Sequence, residues 1–160
     1  MRNLLPSPLH RLALRTAHML RLAWWRTTHR TVRGTNVIAG DAQGRVLLVR
    51  HSYHASQTWM LPGGGLGTGE NALEAATREL VEETGCTLVQ GRHIGSVTLA
   101  RNGWTNLIEL VAGSTHDTPQ PDGREIVEAR FFDPAALPET TSAATRTMIA
   151  KWCGQNGSSA

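Results

Sequence analysis

The order of apolar and polar residues predicts a layered α/β domain in the larger part of the chain. Residues 37–39 and 46–49 are short apolar runs, partly β-branched, and GDAQG between them has the composition of a turn. This pattern predicts a strand, a turn and a strand. Further strands are predicted in CTLV, HIGSVTLAR, TNLIELVAG and IVEARFFD. Strands that are mixed with helices on both sides are typical of a layered α/β fold.

Two helices are predicted within this domain. The first covers residues 71–84, follows a glycine-rich loop, and ends at Gly85, which suits the position after a helix C-terminus. The second lies in TTSAATRTMIAKWC, with Thr140 or Thr141 as its N-cap. The small and polar residues at 154–160 predict a flexible tail.

Residues 8–27 predict a further helix, which is amphipathic and basic. At 100° per residue one side carries mostly apolar residues, namely Leu9, Leu12, Ala13, Thr16, Ala17, Met19, Leu20, Ala23 and Trp24. The other side carries His10, Arg11, Arg15, His18, Arg21 and Arg26, and it also includes Leu14, Leu22 and Trp25. Such a stripe usually packs on its own domain or on a second subunit, as in a homodimer. The alternative is peripheral contact with an anionic membrane surface.

Charge divides the chain at the same place. Residues 1–33 carry seven arginines and no acid, whereas the remainder carries nine basic and thirteen acidic residues. We therefore expect a basic N-terminal arm at 1–32, one domain at 33–153 and a tail at 154–160. No apolar run reaches the length of a transmembrane helix. Cys86 and Cys153 do not form a disulfide framework, which fits a reducing compartment and predicts a cytoplasmic location.

The helix at 71–84 places three carboxylates close together, because Glu79, Glu82 and Glu83 stand three and four positions apart. Like charges at this spacing repel each other. One interpretation is a solvated acidic face that tolerates this repulsion. The other is a site for hard divalent cations, since Mg²⁺ prefers carboxylate oxygens and completes its coordination with water and phosphate oxygens.

The spacing around these carboxylates resembles the Nudix box, the signature of Nudix hydrolases. It reads Gly64, five residues, Glu70, seven residues, Arg78-Glu79-Leu80, one residue, Glu82-Glu83, one residue and Gly85. Cys86 is the one departure, because the family has an aliphatic residue there. The lead-in WMLPGG is also similar to that of the family. The resemblance implies an α/β/α sandwich with a mixed sheet over roughly residues 33–153.

The resemblance also implies roles for individual residues. Glu79, Glu82 and Glu83 would carry catalysis and hold Mg²⁺ or Mn²⁺, and the Gly64 carbonyl would be a further metal ligand. One of the three glutamates, or a carboxylate from a later loop, would be the general base. Arg78 and Glu70 would support the ligand carboxylates from behind. Glu74 is expected to face solvent.

Candidate substrate contacts lie outside the box. Tyr53 and Trp59 are candidates for stacking on a base, although an aromatic residue beside a loop is as often part of the core. Arg50, His51 and His54 are candidates for phosphate contacts. In the loop at 114–124 and just after it, Asp117, Asp122 and Glu125 are candidate extra carboxylates, of which Glu125 is preferred because a predicted strand follows it. Trp104 belongs either to the core or to a pocket.

The implied function is Mg²⁺-dependent hydrolysis of the diphosphate linkage in a nucleoside diphosphate derivative. ADP-ribose, other nucleotide sugars, oxidised nucleoside triphosphates and dinucleoside polyphosphates all remain open as substrates. The alternative is a protein of the same fold that binds a nucleotide without cleaving it. A nucleic-acid partner is not expected, because the positive charge is confined to the arm and aromatic residues are not interleaved with it.

Overall fold

A computed structural model describes residues 31–53, 57–101, 104–121, 123 and 125–157 of the chain. Within these residues, seven strands form one mixed sheet and two helices pack on it. The strands are β1 Thr31–Gly40, β2 Val46–His51, β3 Trp59–Met60, β4 Gly63–Gly65, β5 Val89–Arg101, β6 Trp104–Ser114 and β7 Ile126–Phe132. The helices are α1 Ala72–Thr84 and α2 Ala143–Gly157. The amphipathic helix predicted at 8–27 lies outside the described residues.

The sheet order is β3-β2-β1-β6-β5, and β4 and β7 pair with β1 and β2. The β1–β6 pair is parallel over its whole length, from Thr31 opposite Thr105 to Gly40 opposite Ser114, whereas the other strand pairs are antiparallel. The predicted turn between β1 and β2 is present, and the Asp41 carboxylate stabilises it by accepting hydrogen bonds from the backbone N–H groups of Gln43 and Arg45.

The core has two layers, because successive side chains of a strand point to opposite faces. Val37, Ala39, Leu47 and Val111 pack with Ala76 and Leu80 of α1. Ile38, Val46, Leu48, Ile108, Leu110 and Ala112 pack with Met148 and Ile149 of α2. The helices therefore cover opposite faces of the sheet, so the prediction of an α/β fold with a mixed sheet is confirmed for the described part of the chain.

The segment from Trp59 to Gly65 forms the part of the sheet that the pattern of residues did not predict. β1 and β2 pair only at Gly40 and Val46, and they separate beyond that point. β3 then pairs with β2, and β4 pairs with β1. Since β1 and β2 run in opposite directions and both new pairs are antiparallel, the chain must reverse between Met60 and Gly63. The Pro62 carbonyl at this reversal accepts a hydrogen bond of 2.8 Å from Val37 N.

Two other local predictions were wrong. CTLV was expected to be a strand, but β5 begins only at Val89, because Cys86 is buried beneath α1 and Thr87 N donates to the Asp117 carboxylate instead of to a strand. Ser142, and not Thr140 or Thr141, caps α2, since its Oγ accepts from Thr145 N at 3.1 Å. The backbones of Thr140 and Thr141 are occupied by contacts to Trp59.

The helix α2 continues to Gly157, beyond Cys153, where the sequence pattern was expected to end it. Among the described residues, neither α1 nor α2 is long and apolar enough to cross a membrane.

Candidate active site

Helix α1 starts and stops where its sequence signals predict. Asn71 is the N-cap, and its side chain accepts from the backbone N–H groups of Leu73 and Glu74 at 3.0 Å each. The Glu74 carboxylate accepts from Asn71 N in return, which completes a capping box. Gly85 ends the helix in the left-handed conformation, with φ 69°, and donates to Val81 O. Because these caps define both ends of α1, they fix the position of each carboxylate along the helix axis.

Strand β4 meets α1 through three successive contacts. Gly63 N donates to Glu83 Oε2 at 2.9 Å. Gly64 lies directly against the Glu79 carboxylate. The Gly65 carbonyl accepts from Arg78 Nη2 at 3.1 Å. The glycine strand and the charged face of the helix are therefore in register, residue against residue.

Two of these glycines have a steric reason to be glycine. A Cβ at Gly63 would lie 2.1 Å from the Thr35 carbonyl oxygen, and its φ of 154° is one that other residues rarely adopt. A Cβ at Gly64 would lie 2.2 Å from Glu79 Oε1. A Cβ at Gly65, by contrast, would meet nothing within 4 Å. The close approach at Gly63 and Gly64 thus brings backbone polar groups to the carboxylates.

Arg78 joins most of the acidic side chains of this region. Its Nε and Nη2 donate to the two oxygens of Glu70, at 2.9 Å each. Its Nη1 donates to Glu79 at 2.7 Å and to Glu82 at 3.3 Å. The Arg78 hydrogen bonds, together with a 2.7 Å bond from Gly67 N, lower the pKa of Glu70 to about 2. Arg78 therefore holds two box carboxylates while it is itself anchored by the paired Glu70.

The three box glutamates differ in their surroundings. The Glu82 side chain is 60% exposed and that of Glu79 is 15% exposed, whereas Glu83 is buried. Burial raises the pKa of Glu83 well above its ordinary value, and the nearby Glu79, Glu125 and Glu82 charges act in the same direction. The Gly63 N–H bond opposes this rise. His51 Nε2 lies 3.8 Å from Glu83 Oε1, so a buried imidazole borders the deepest carboxylate.

The donor set fits a hard divalent cation. Among the described residues, no three His, Cys, Asp or Glu side chains converge as a closed metal site. Arg78 bonds both Glu79 and Glu82. The three box glutamates and the Gly64 carbonyl nevertheless offer only oxygen donors. The glycine at position 64 leaves room for the backbone and the Glu79 carboxylate to meet. Carboxylate and carbonyl oxygens are the ligands that suit Mg²⁺ and Mn²⁺.

The substrate candidates are placed at different depths. Trp59 is 6% exposed and its ring packs edge-on against Phe132, so it belongs to the core and offers no free face to a base. Arg50 forms an ion pair with Glu128 and lies over the Trp59 ring at 5.0 Å. Tyr53 lies beside His51, with 4.9 Å between ring centroids. Glu125 is exposed, and its carbonyl accepts from Ser52 N at 2.8 Å.

That last bond brings the segment before β7 to the end of β2. Glu125 thereby comes close enough to Glu83 to raise the pKa of that carboxyl, as a fourth carboxylate of the site would. Asp117 instead receives the Thr87 N–H, which lowers the Asp117 pKa and ties it to the loop after α1. Trp104 begins β6 and is half-buried. His54 and Asp122 lie outside the described residues.

The sequence pattern missed three contributors. Glu74 was expected to face solvent without a role, yet it completes the capping box, and the spacing Asn71-x-x-Glu74 was the signal for this. The other two are the Gly63 N–H that holds Glu83 and the Gly65 carbonyl that holds Arg78, whereas the sequence pattern predicts only a glycine-rich loop at these positions. No sequence signal identifies them, because both act through backbone atoms.

Comparisons with a family model and with known proteins indicate the same family. The family model for the NUDIX domain matches residues 30–152. The NAD-capped RNA hydrolase NudC of Vibrio atlanticus (strain LGP32) is 28% identical over 109 residues, which are 68% of this chain and 40% of that protein. A Bacillus subtilis (strain 168) protein provisionally named an 8-oxo-dGTP diphosphatase is 34% identical over 106 residues, 66% of this chain and 68% of that protein. The chain thus spans well under two thirds of the length of the first of these relatives.

Solved structures show the same fold. The MutT NUDIX hydrolase from Burkholderia pseudomallei superimposes with a TM-score of 0.68 at 22% identity, over 75% of this chain and 96% of that chain. The MutT protein from Methanosarcina mazei Go1 gives a TM-score of 0.70 at 23% identity, over 79% and 96%. At such identities the likeness concerns architecture, and activity has to be argued from the site.

Proposed function

Because the chain belongs to the NUDIX domain family, we propose that it hydrolyses the diphosphate linkage of a nucleoside diphosphate derivative. The observation that carries this proposal is the register between β4 and α1, which sets Glu83 on Gly63, Glu79 on Gly64 and Arg78 on Gly65. A solvated acidic face would need no such backbone contacts. The pattern is that of a site whose carboxylates are held in place.

Glu79, Glu82 and Glu83, with the Gly64 carbonyl, are the proposed ligands for Mg²⁺ or Mn²⁺. When bound, such ions neutralise the negative charge of a diphosphate and acidify water. The chain's own contribution is to position the oxygens. Glu83 is held deep by Gly63 N, Glu79 is held against Gly64, and the exposed Glu82 is contacted by Arg78 at 3.3 Å.

The proton that an attacking water must lose needs an acceptor within the site. Glu79, Glu82, Glu83 and the nearby Glu125 are the candidates, and we leave the choice among them open. Glu125 lies on the segment before β7, which is tied to Ser52 after β2, and its charge acts on Glu83. It is therefore also the proposed substrate-side carboxylate.

Arg50 and Tyr53 remain proposed substrate contacts, whereas Trp59 serves packing. Arg50 is 26% exposed and already paired with Glu128, so its interaction with a phosphate would compete with that pair. Tyr53 lies at the end of β2, next to the buried His51, and its ring is partly exposed. A base that stacks there would lie on the same side of the molecule as Glu83.

The names of the relatives include an NAD-capped RNA hydrolase, RNA pyrophosphohydrolases and an 8-oxo-dGTP diphosphatase. What these substrates share is a nucleoside joined to a chain of phosphates. The proposed substrates are therefore ADP-ribose or another nucleotide sugar, and a normal or oxidised nucleoside triphosphate. We propose a cytoplasmic location, where nucleotides are abundant and the free Cys86 and Cys153 stay reduced.

The alternative is a protein that binds a nucleotide on this fold without cleaving it. Such a protein has no need of the acidic side chains, and here Glu79, Glu82 and Glu83 are all present and positioned. We therefore rank hydrolysis first. Tight binding of a nucleotide with no product formed over long incubation would reverse this order.

The deciding experiment is a panel of nucleoside diphosphate derivatives with Mg²⁺, followed by product analysis, on the parent and on Glu82→Gln. We expect Glu82→Gln to lose ~10²-fold or more in kcat, because it removes a charge that acts in the transition state. The matched control is Glu139→Gln, the same change at an exposed glutamate between β7 and α2. Equal activity in both variants, or full activity in excess chelator, would overturn the proposal.

A further inference from the structure

The outer face of α1 carries an apolar groove that borders the proposed site at Arg78 and Glu82. It has a volume of about 550 Å³ and is lined by Leu73, Glu74, Thr77, Arg78, Val81 and Glu82. Leu73 is 40% exposed and Val81 47% exposed, and both are among the large apolar side chains that the described residues leave in solvent. They stand eight positions apart, with Thr77 midway, so they form one stripe along the helix.

The groove continues onto the start of β5. Gly91 has no side chain, and the methyl groups of Leu73 and Leu88 lie where its Cβ would be, at 2.8 and 2.7 Å. We call the set Leu73, Thr77, Val81 and Leu88 the α1 groove. Its borders carry two acids, Glu74 and Glu82, and one base, Arg78, which already bonds Glu82.

We propose that the basic N-terminal arm of the same chain docks in the α1 groove. The arm matches this surface both in its apolar side and in its charge. Its predicted helix at 8–27 has an apolar side, and residues 1–33 carry seven arginines without an acid. The apolar side would cover Leu73 and Val81, and a flanking arginine would face Glu74.

The arm can reach the groove from where the described chain begins. Thr35 in β1 lies beside the first turn of α1, since its Oγ1 contacts the Ala72 carbonyl. Thr31 precedes Thr35 by four residues, which is ~13 Å of strand. A helix over residues 8–27 would be ~30 Å long, against ~20 Å for α1, so it can span the whole groove.

Charge favours this partner over a lipid surface. An anionic membrane would bring negative charge against the Glu74 and Glu82 borders of the groove. The arm instead brings positive charge to the border at Glu74. Docking in cis also needs no second molecule, so the exposed leucine and valine would be covered at any protein concentration.

Cross-linking within the full-length chain tests the contact directly. In a Cys153→Ser background, Ala13→Cys on the apolar side of the arm is combined with Thr77→Cys in the groove, and the protein is treated with a short bis-maleimide. We expect an intramolecular product that joins positions 13 and 77. The matched control replaces Thr77→Cys by Ala150→Cys, at an exposed position on α2 at the other face of the sheet, and should give no such product.

Trypsin provides a second readout through the arm's arginines. Cleavage at Arg15 and Arg21 should become ~10-fold faster in Val81→Asp than in the parent, because release of a docked segment opens it to protease. Ala150→Asp is the control and should leave the rate unchanged. Val81 is exposed, so the domain itself should keep its melting temperature.

Three results would overturn the proposal. One is equal cleavage of the parent and Val81→Asp. Another is a cross-linked product that joins two chains and has twice the mass, which would assign the groove to a second copy. The third is loss of anionic-vesicle binding in Val81→Asp, which would assign it to a membrane. None of these results bears on hydrolysis, which the panel tests separately.

Discussion

At the scale of single residues, Arg78 links the supporting acid to the proposed ligands. It bonds both oxygens of Glu70 and also reaches Glu79, Glu82 and the Gly65 carbonyl. A planar guanidinium can make these contacts together, whereas the point charge of lysine cannot. We expect Arg78→Lys to lower kcat by ~10- to 100-fold through displaced ligand carboxylates, as loss of a supporting contact does at other metal sites. Steady-state kinetics at saturating Mg²⁺ would measure it.

A control for Arg78→Lys is Arg146→Lys, since Arg146 on α2 also bonds backbone carbonyls but lies away from the carboxylates. If both variants lost the same activity, the effect of Arg78 would be one of general stability.

The Glu70–Arg78 pair also predicts a pH dependence of stability. The Arg78 hydrogen bonds lower the pKa of Glu70 from 4.5 to about 2, so the folded protein binds this proton less readily than the unfolded chain. The pair therefore stabilises fully above pH 4.5, and the contribution disappears as pH falls toward 2. The melting temperature of the parent should exceed that of Glu70→Gln at about pH 6, and this difference should be smaller at about pH 3. A difference that stays constant over this range would contradict the assignment.

At the scale of elements, the approach of β4 to α1 decides the position of Glu79. In Gly64→Ala the new Cβ would meet the end of the Glu79 side chain, which can rotate away more easily than backbone can shift. We expect ~1 kcal/mol or less of lost stability but at least ~10-fold lower kcat, because the displaced carboxylate no longer lies at Gly64.

The neighbouring glycine offers a matched control for that prediction. A Cβ at Gly65 meets nothing within 4 Å, so Gly65→Ala should retain both activity and melting temperature. Thermal melts and kcat for the two variants would be compared side by side. A larger loss in Gly65→Ala would show that flexibility of the glycine strand matters more than its contact with Glu79.

Helix α1 and strand β4 show how much of the fold and of the site can be predicted from the sequence. The bounds of α1 were predictable, because Asn71 and Gly85 are local signals that act within one turn of the helix. The strands β3 and β4 were not, because they form by pairing with β2 and β1, which are distant in sequence, and glycines have no strand preference. The box carboxylates were recognised by spacing, whereas the Gly63 and Gly65 backbone contacts needed the structure.

At the scale of the whole molecule, the carboxylate cluster opposes stability until its charge is balanced. Glu79, Glu82, Glu125 and the buried Glu83 lie near one another, and Arg78 offsets only part of that charge. A ligand that binds only the folded protein raises its stability, by ~2.7 kcal/mol at a hundred times its Kd. We therefore expect Mg²⁺ to raise the melting temperature, and chelator to reverse the rise.

Glu82→Gln should show a smaller rise with Mg²⁺. Its melting temperature without Mg²⁺ should nevertheless be equal to or above that of the parent, because it loses a repelling charge. NaCl at matched ionic strength separates this effect from screening, and Glu139→Gln should behave as the parent. If NaCl produced the same rise, or if Glu82→Gln responded to Mg²⁺ as fully as the parent does, then the cluster would be a solvated acidic face and Glu82 would not be a ligand.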